Sequence, residues 1–381
     1  VSTTAPGSLR GRPLPTPLRA LVVVASLYAF LIGVALLEVG ISAFGEGFTD
    51  GLLEEVAHPL SGLFAGILFT VLVQSSSVST STIVALVGAG TVPIGLAVPM
   101  IMGANIGTTV TNTLAALGSI RRPREFRLGF AAATMHDFFN VFAISILLPL
   151  ELLTGFLERS AAWLTGHLRG TEVAEVGQSP IRTVVKVPVN GIESAITTLS
   201  DRAGVLGVLA LIIGLALIFA ALGLIARNMR ALVAGSVERA MNRVIGKGGG
   251  AIGILVGILV TVAVQSSSIT TSILVPLVAA GILTIPNAYP ITLGANLGTT
   301  ITGLLASLAV LRPEGLTIAL VHTLFNLTAI MLLYPVPRLR QLPIRAAEWL
   351  ATQAVARRWI VFVYVIGLFV VIPLAGVFLL D

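Results

Sequence analysis

Apolar residues fill most of this chain, and polar residues break the pattern at a few repeated places. From Pro59 to Ile120, and again from Gly248 to Leu311, there is no Asp, Glu, Lys, Arg or His. Uncharged apolar runs of that length belong in a bilayer. Each run contains one Gln-Ser-Ser-Ser cluster: Gln74, Ser75, Ser76 and Ser77, then Gln265, Ser266, Ser267 and Ser268. The apolar stretch before the first cluster is about 15 residues, short of the ~20 that a spanning helix needs. Gly88 and Gly90 then turn the chain. Residues 59–90 are therefore expected to form a re-entrant hairpin whose two half-helices meet at the cluster, and residues 249–281 its mirror. The next helices, 93–117 and 286–311, each carry Gly-Ala-Asn-X-Gly-Thr-Thr. Two glycines and an Asn inside a helix argue for unwinding there, which predicts two broken helices. Ordinary helices are expected over 18–41, 126–152, 203–227, 315–335 and 359–381. Residues 154–168 and 344–355 are amphipathic, with Trp163, Trp349 and Trp359 as interfacial anchors.

The repetition extends beyond the clusters. Position 74 pairs with 265 and 103 with 294, an offset of 191 in both cases. His136 and Asn140 match His322 and Asn326 after a five-residue shortening of the intervening turn. Two motifs in fixed register exclude chance.

Composition fixes the class. The chain is 56% hydrophobic and 10% charged, against about 25% charged in a soluble domain, and its mean hydropathy is +1.00. It reads as an all-α polytopic membrane protein. The net charge of +6 does not call for nucleic acid, because the Arg and Lys residues lie in short connections, the positive-inside pattern. With no cysteine, disulfides and thiolate metal sites are excluded. Residues 1–17 are expected to be a disordered tail, followed by an uncleaved first helix.

Arg10, Arg12 and Arg19 place the N-terminus in the cytoplasm of a multi-pass protein of the plasma (inner) membrane. Glu46, Asp50, Glu54 and Glu55 fall outside, and Arg121, Arg122, Arg124 and Arg127 inside. Residues 159–202 make an interfacial segment and a short external loop. Arg227, Arg230, Arg239, Arg243 and Lys247 are inside again, as is the amphipathic connection 336–358 before the last helix. The first hairpin is then entered from outside and the second from inside. Repeats 18–158 and 203–335 are thus of inverted topology, as in many secondary transporters.

Polar groups at mid-membrane must be buried in protein or wetted by a cavity. Helix N-termini and hydroxyls at the clusters favour an oxyanion. Ser79, Thr80, Asn105, Thr108 and Thr109, with Thr270, Thr271, Asn296, Thr299 and Thr300, add oxygens that suit a hard monovalent cation. Neither run contains a basic residue, so a dianion is tolerable only if cations bind beside it. The residues alone thus point to coupled cation–anion transport. His136 and His322 read as hydrogen-bonded structural or gating residues. Asp137, matched by Thr323, reads as a solvated or paired carboxylate, and no buried Asp or Glu is expected to relay protons. An intramembrane hydrolase has little support, since no Gly-x-Ser-x-Gly elbow is present. No catalytic residue and no cofactor are expected.

At these residues the chain resembles the type II sodium–phosphate cotransporter family, in a bacterial form. The resemblance rests on the paired Gln-Ser-Ser-Ser motifs and on residues 102–113. It continues through Met135-His-Asp-Phe-Phe-Asn140, Tyr334-Pro-Val-Pro and Leu342-Pro-Ile-Arg345. It implies an elevator-like carrier in which the two clusters hold inorganic phosphate and the other oxygens complete the sodium sites. Sodium is then the coupling ion and the only metal, the bilayer a partner, and a homodimer stays open. Animal members carry a large disulfide-bonded external loop and continue past the last helix, and this chain differs at both places. Another small oxyanion, such as sulfate or arsenate, or another coupling cation remains an alternative, and a non-transporting phosphate sensor a remote one.

Overall fold

A computed structural model describes residues 14–45, 58–169, 180–200, 202–247 and 250–380. Most of the N-terminal tail and the acidic residues 46–55 lie outside the described residues, as do 170–179, and so do the side chains of Arg239, Arg243 and Lys247. Among the described residues all regular structure is helical. The helices are α1 Thr16–Ser42, α2 Pro59–Val73, α3 Ser76–Ala89, α4 Ile94–Gly107, α5 Val110–Ala116, α6 Pro123–Thr154, α7 Phe156–Arg169 and α8 Pro180–Leu199. They continue with α9 Ala203–Lys247, α10 Gly250–Val264, α11 Ser267–Ala279, α12 Ile285–Ser307, α13 Pro313–Leu333 and α14 Pro337–Ala356. The last segment is α15 Trp359–Ile366, a π-helical turn, and α16 Ile372–Leu380.

Among the described residues six segments are long and apolar enough to cross a membrane: Thr16–Ser42, Ile94–Ser119, Pro123–Thr154, Ala203–Leu232, Pro313–Leu333 and Trp359–Leu380. The helices of both hairpins are shorter. At 1.5 Å per residue, the 15-residue α2 and α10 reach about 22 Å, less than the roughly 30 Å of hydrocarbon.

Packing recurs in pairs. Helix α2 lies on α4 as α10 lies on α12, and α7 packs on α13 as α14 packs on α6. Close approach in the first two pairs depends on glycine. A Cβ on Gly103 would strike the Leu63 carbonyl, and one on Gly294 the Ile254 carbonyl. Gly66 and Gly257 return the favour against Met100 and Ile291. Outside these pairs α1 crosses α9 at Gly33, Gly40, Gly207 and Gly214, the small-residue contact common between membrane helices. Glu38 of α1, only 8% exposed, accepts the Leu311 N–H at 3.1 Å and so ties α1 to the turn after α12.

Several expectations need correction. Both hairpins form within a residue or two of their expected bounds. Only the first broken helix is interrupted, at Thr108–Thr109; helix α12 runs unbroken through Gly294 and Gly298. The glycines serve packing in both halves: Gly294 and Gly298 bring α12 against α10 as Gly103 and Gly107 bring α4 against α2, so their presence does not by itself unwind a helix. Residues 180–199 of the expected loop are a helix, and the helix expected to end at 227 continues to Lys247. Asp137 is neither solvated nor paired with a base, and buried carboxylates do occur: Asp137 is 0% exposed, Glu151 6%. Glu151 accepts the N–H groups of Leu157 and Glu158 and caps α7.

Candidate substrate and cation site

Each hairpin tip is built the same way. Gln74 ends α2 with φ 55° and Gln265 ends α10 with φ 54°; among the described residues these are the only non-glycine residues with left-handed backbone. That conformation costs a side-chain-bearing residue about 1–2 kcal/mol, and here the side chain supplies what glycine cannot. Gln74 Nε2 donates to the Val71 carbonyl at 2.5 Å, and its Oε1 accepts from Thr111 at 3.2 Å. Gln265 repeats both bonds, to Val262 at 2.8 Å and from Thr302 at 3.0 Å. Ser75 and Ser266 then cap the second half-helices, accepting the N–H of Val78 at 3.3 Å and of Ile269 at 3.4 Å.

Behind each cap, Ser76–Ser77 and Ser267–Ser268 occupy the first two positions of α3 and α11. Their N–H groups have no partner inside the helix, and their hydroxyls make no hydrogen bond with a described residue. Ser76, Ser77 and Ser267 are nearly buried, at 7%, 5% and 3% exposure, and Ser268 is half-buried. Two hydroxyls and two N–H groups at a helix N-terminus suit an oxyanion, and each hairpin tip presents such a set.

The surrounding hydroxyls differ in chemistry. Ser79, Thr80, Thr270 and Thr271 donate to the carbonyls of Ser75, Ser76, Ser266 and Ser267. Thr108, Thr109, Thr299 and Thr300 donate likewise to Ala104, Ile106, Ala295 and Leu297. Such back-bonding is the common state of Ser and Thr in membrane helices. It uses the proton and leaves oxygen lone pairs, so these side chains can accept a cation and cannot donate to an anion.

Asn105 and Asn296 come together at the crossing of α4, α6, α12 and α13, joined by Asn140 and Asn326. Asn296 Nδ2 donates to Asn140 at 3.1 Å and to Asn326 at 2.7 Å; Asn326 donates to Asn105 Oδ1 at 3.3 Å; Asn140 donates to the Asn105 carbonyl at 3.0 Å. All four are buried. This tetrad bonds the halves to each other, and His136 and His322 are buried one turn before its outer members. A second bridge is asymmetric. Asn112 of α5 accepts from Ser272 at 3.2 Å on α11, and its Oδ1 lies 2.9 Å from the Thr271 hydroxyl, which shares its one proton between Asn112 and the Ser267 carbonyl. Its counterpart is Gly303, so the repeat comparison alone does not single it out. Thr111, next to Asn112, holds the first tip through Gln74, so α5 touches both tips.

Two further residues, read in the sequence as a carboxylate with no ion and as part of a basic connection, stand near the site. Asp137 Oδ2 accepts from Tyr364 at 2.6 Å and Thr113 at 3.5 Å, while Oδ1 has no partner. Among the described residues no lysine or arginine pairs with it. Arg230 of α9 lines an open cavity of about 470 Å³ with Thr111, Ser268 and Ser272. A basic group therefore does stand beside the second tip, although none lies in the apolar runs themselves.

Residues 29–160 and 217–336 match the family model described as Na+/Pi-cotransporter. Among curated proteins, the chain is 33% identical to sodium-dependent phosphate transport protein 2A of Ovis aries, covering 94% of this chain and 67% of the relative. The rat (Rattus norvegicus) 2A protein is 33% identical over 86% of the chain and 62% of the relative. Human (Homo sapiens) protein 2B is 32% identical over 93% and 64%. The chain thus spans about two thirds of the length of these relatives. No solved structure matches it.

Proposed function

The chain belongs to the Na+/Pi-cotransporter family, and from that premise we infer that it is a secondary transporter coupling sodium to inorganic phosphate, and not an enzyme. The observation that carries the reading is the division of labour among hydroxyls. The Ser76, Ser77, Ser267 and Ser268 hydroxyls at the two hairpin tips keep unengaged protons, whereas Ser79, Thr80, Thr108 and Thr299 around them have given theirs to backbone carbonyls. Phosphate is bound between Ser75–Ser77 and Ser266–Ser268, with Gln74 and Gln265 holding the tips in shape. Sodium binds at back-bonded oxygens of α4, α5 and α12 and at Asp137. With cations beside it, the phosphate charge is largely offset and the loaded unit can cross a low-dielectric region.

The mechanism is alternating access by an elevator-like movement. The two hairpins with α4, α5 and α12 form the moving unit, and the α1–α9 pair, welded by four glycines, forms the static frame. The two repeats are of inverted topology, as the basic loops imply, so each tip faces one side of the plasma membrane.

Reconstituted protein tests the coupling. Labelled phosphate enters vesicles down a sodium gradient, and replacing sodium with choline abolishes uptake; equal uptake in choline overturns the reading. Ser76→Ala and Ser267→Ala each remove a donor to a charged group, worth about 1.5–3 kcal/mol. Each raises the phosphate concentration for half-maximal uptake roughly ten- to a hundredfold. Wild-type values in both variants would move the site elsewhere.

A further inference from the structure

Away from the hairpin tips, a cavity of about 400 Å³ opens between the start of α12 and helix α14, within the range of small-molecule sites. Tyr289 is among the residues against it. The Tyr289 side chain is 0% exposed and its oxygen has no hydrogen-bond partner, which is costly for a buried hydroxyl unless something enters to meet it. Its walls carry two guanidinium groups. Arg340 lies over the Tyr334 ring at 5.3 Å, and Arg345 donates to Gln341 at 2.6 Å. Among the described residues no carboxylate comes within 4 Å of either. Glu348 also lines the cavity but is exposed at its edge. The positive end of the 23-residue α12 points to the same space.

We propose that this cavity binds a phosphoryl oxyanion. Two planar guanidiniums match several oxygens at once, and the dipole of α12 adds to the positive field. A cation finds there only the exposed Glu348, and an apolar ligand would leave the Tyr289 hydroxyl unmet. Two sources carry this chemistry: free phosphate, and the headgroup of an anionic phospholipid, since α14 is amphipathic. The free-phosphate source rests on the transport reading above. Tyr289 is seven residues before Asn296 on α12, about 10 Å along the helix, so the cavity is a waiting place for phosphate between the tetrad and one membrane face.

The test uses the purified full chain in neutral detergent without sodium. Binding of radiolabelled orthophosphate is measured at equilibrium, and retention of phosphatidylglycerol over phosphatidylcholine by native mass spectrometry. Wild-type protein binds at least one of these probes saturably. The double variant Arg340→Gln/Arg345→Gln loses tenfold or more in affinity, and Tyr289→Phe about threefold. Orthophosphate binding identifies the free anion as occupant; lipid retention with orthophosphate silent identifies the headgroup. Tyr289→Phe keeps the ring in the core and guards against a double variant that fails to fold. No binding of either probe by wild-type protein, or unchanged binding in both variants, overturns the proposal. Persistent sodium-driven uptake with this binding absent defeats only the cavity. Binding without sodium-driven uptake defeats only the transport reading.

Discussion

Gln74 and Gln265 occupy positions whose backbone suits glycine, and their side chains compensate for the strain. Gln74→Gly relieves about 1–2 kcal/mol of strain and removes two hydrogen bonds worth about 0.5–1.5 kcal/mol each. The terms nearly cancel, so the variant melts within a few degrees of wild type while the tip loses its tether to Thr111. Sodium-dependent uptake falls tenfold or more; a drop in melting temperature paralleling the loss of uptake would instead mark Gln74 as merely structural. The glutamines and serines were legible in the sequence because lipid tolerates no such cluster without a reason. Asp137 was not. Its meaning depends on burial by Tyr364, which lies 227 residues away, and no local pattern reports that. Asp137→Asn keeps the shape and removes the charge from a site with no basic partner. The sodium concentration for half-maximal uptake rises tenfold or more, and the phosphate requirement at saturating sodium stays within about threefold. An unchanged sodium requirement would exclude the carboxylate as a cation ligand.

Hairpin bounds were readable from two simple quantities, the apolar length before the cluster and the glycines after it. The continuity of α12 was not readable, since a glycine that permits unwinding and a glycine that permits contact look the same in sequence. Distance to the neighbour shows the contact role, and it shows it in both halves. Adding a Cβ at Gly294 forces the Ile254 carbonyl away and separates α10 from α12. Overpacking of that kind costs about 1–3 kcal/mol. Gly294→Ala therefore lowers the thermal midpoint in detergent by several degrees, and Gly103→Ala, against Leu63, does the same. Gly303→Ala is the control, because its nearest atoms are 3.9 Å away, and it melts like wild type. Wild-type melting of Gly294→Ala would return the unwinding account to favour.

At the scale of the molecule, the pairwise recurrence of contacts relates the halves, and only the sides of the membrane remain to be assigned. On the topology proposed above the basic connections lie inside, so the first hairpin opens outward and the second inward. A chain without cysteine makes this directly measurable. Gly95, at the open end of the first hairpin, is exposed with nothing within 4 Å of a new Cβ. Ile282, at the open end of the second, is 56% exposed. Gly95→Cys in intact cells reacts with a membrane-impermeant maleimide, whereas Ile282→Cys reacts only after permeabilisation. Labelling of both from one side would place the hairpins in parallel. Two anion cradles would then face the same solution, and a tip that opens to each side in turn would no longer follow from the repeat.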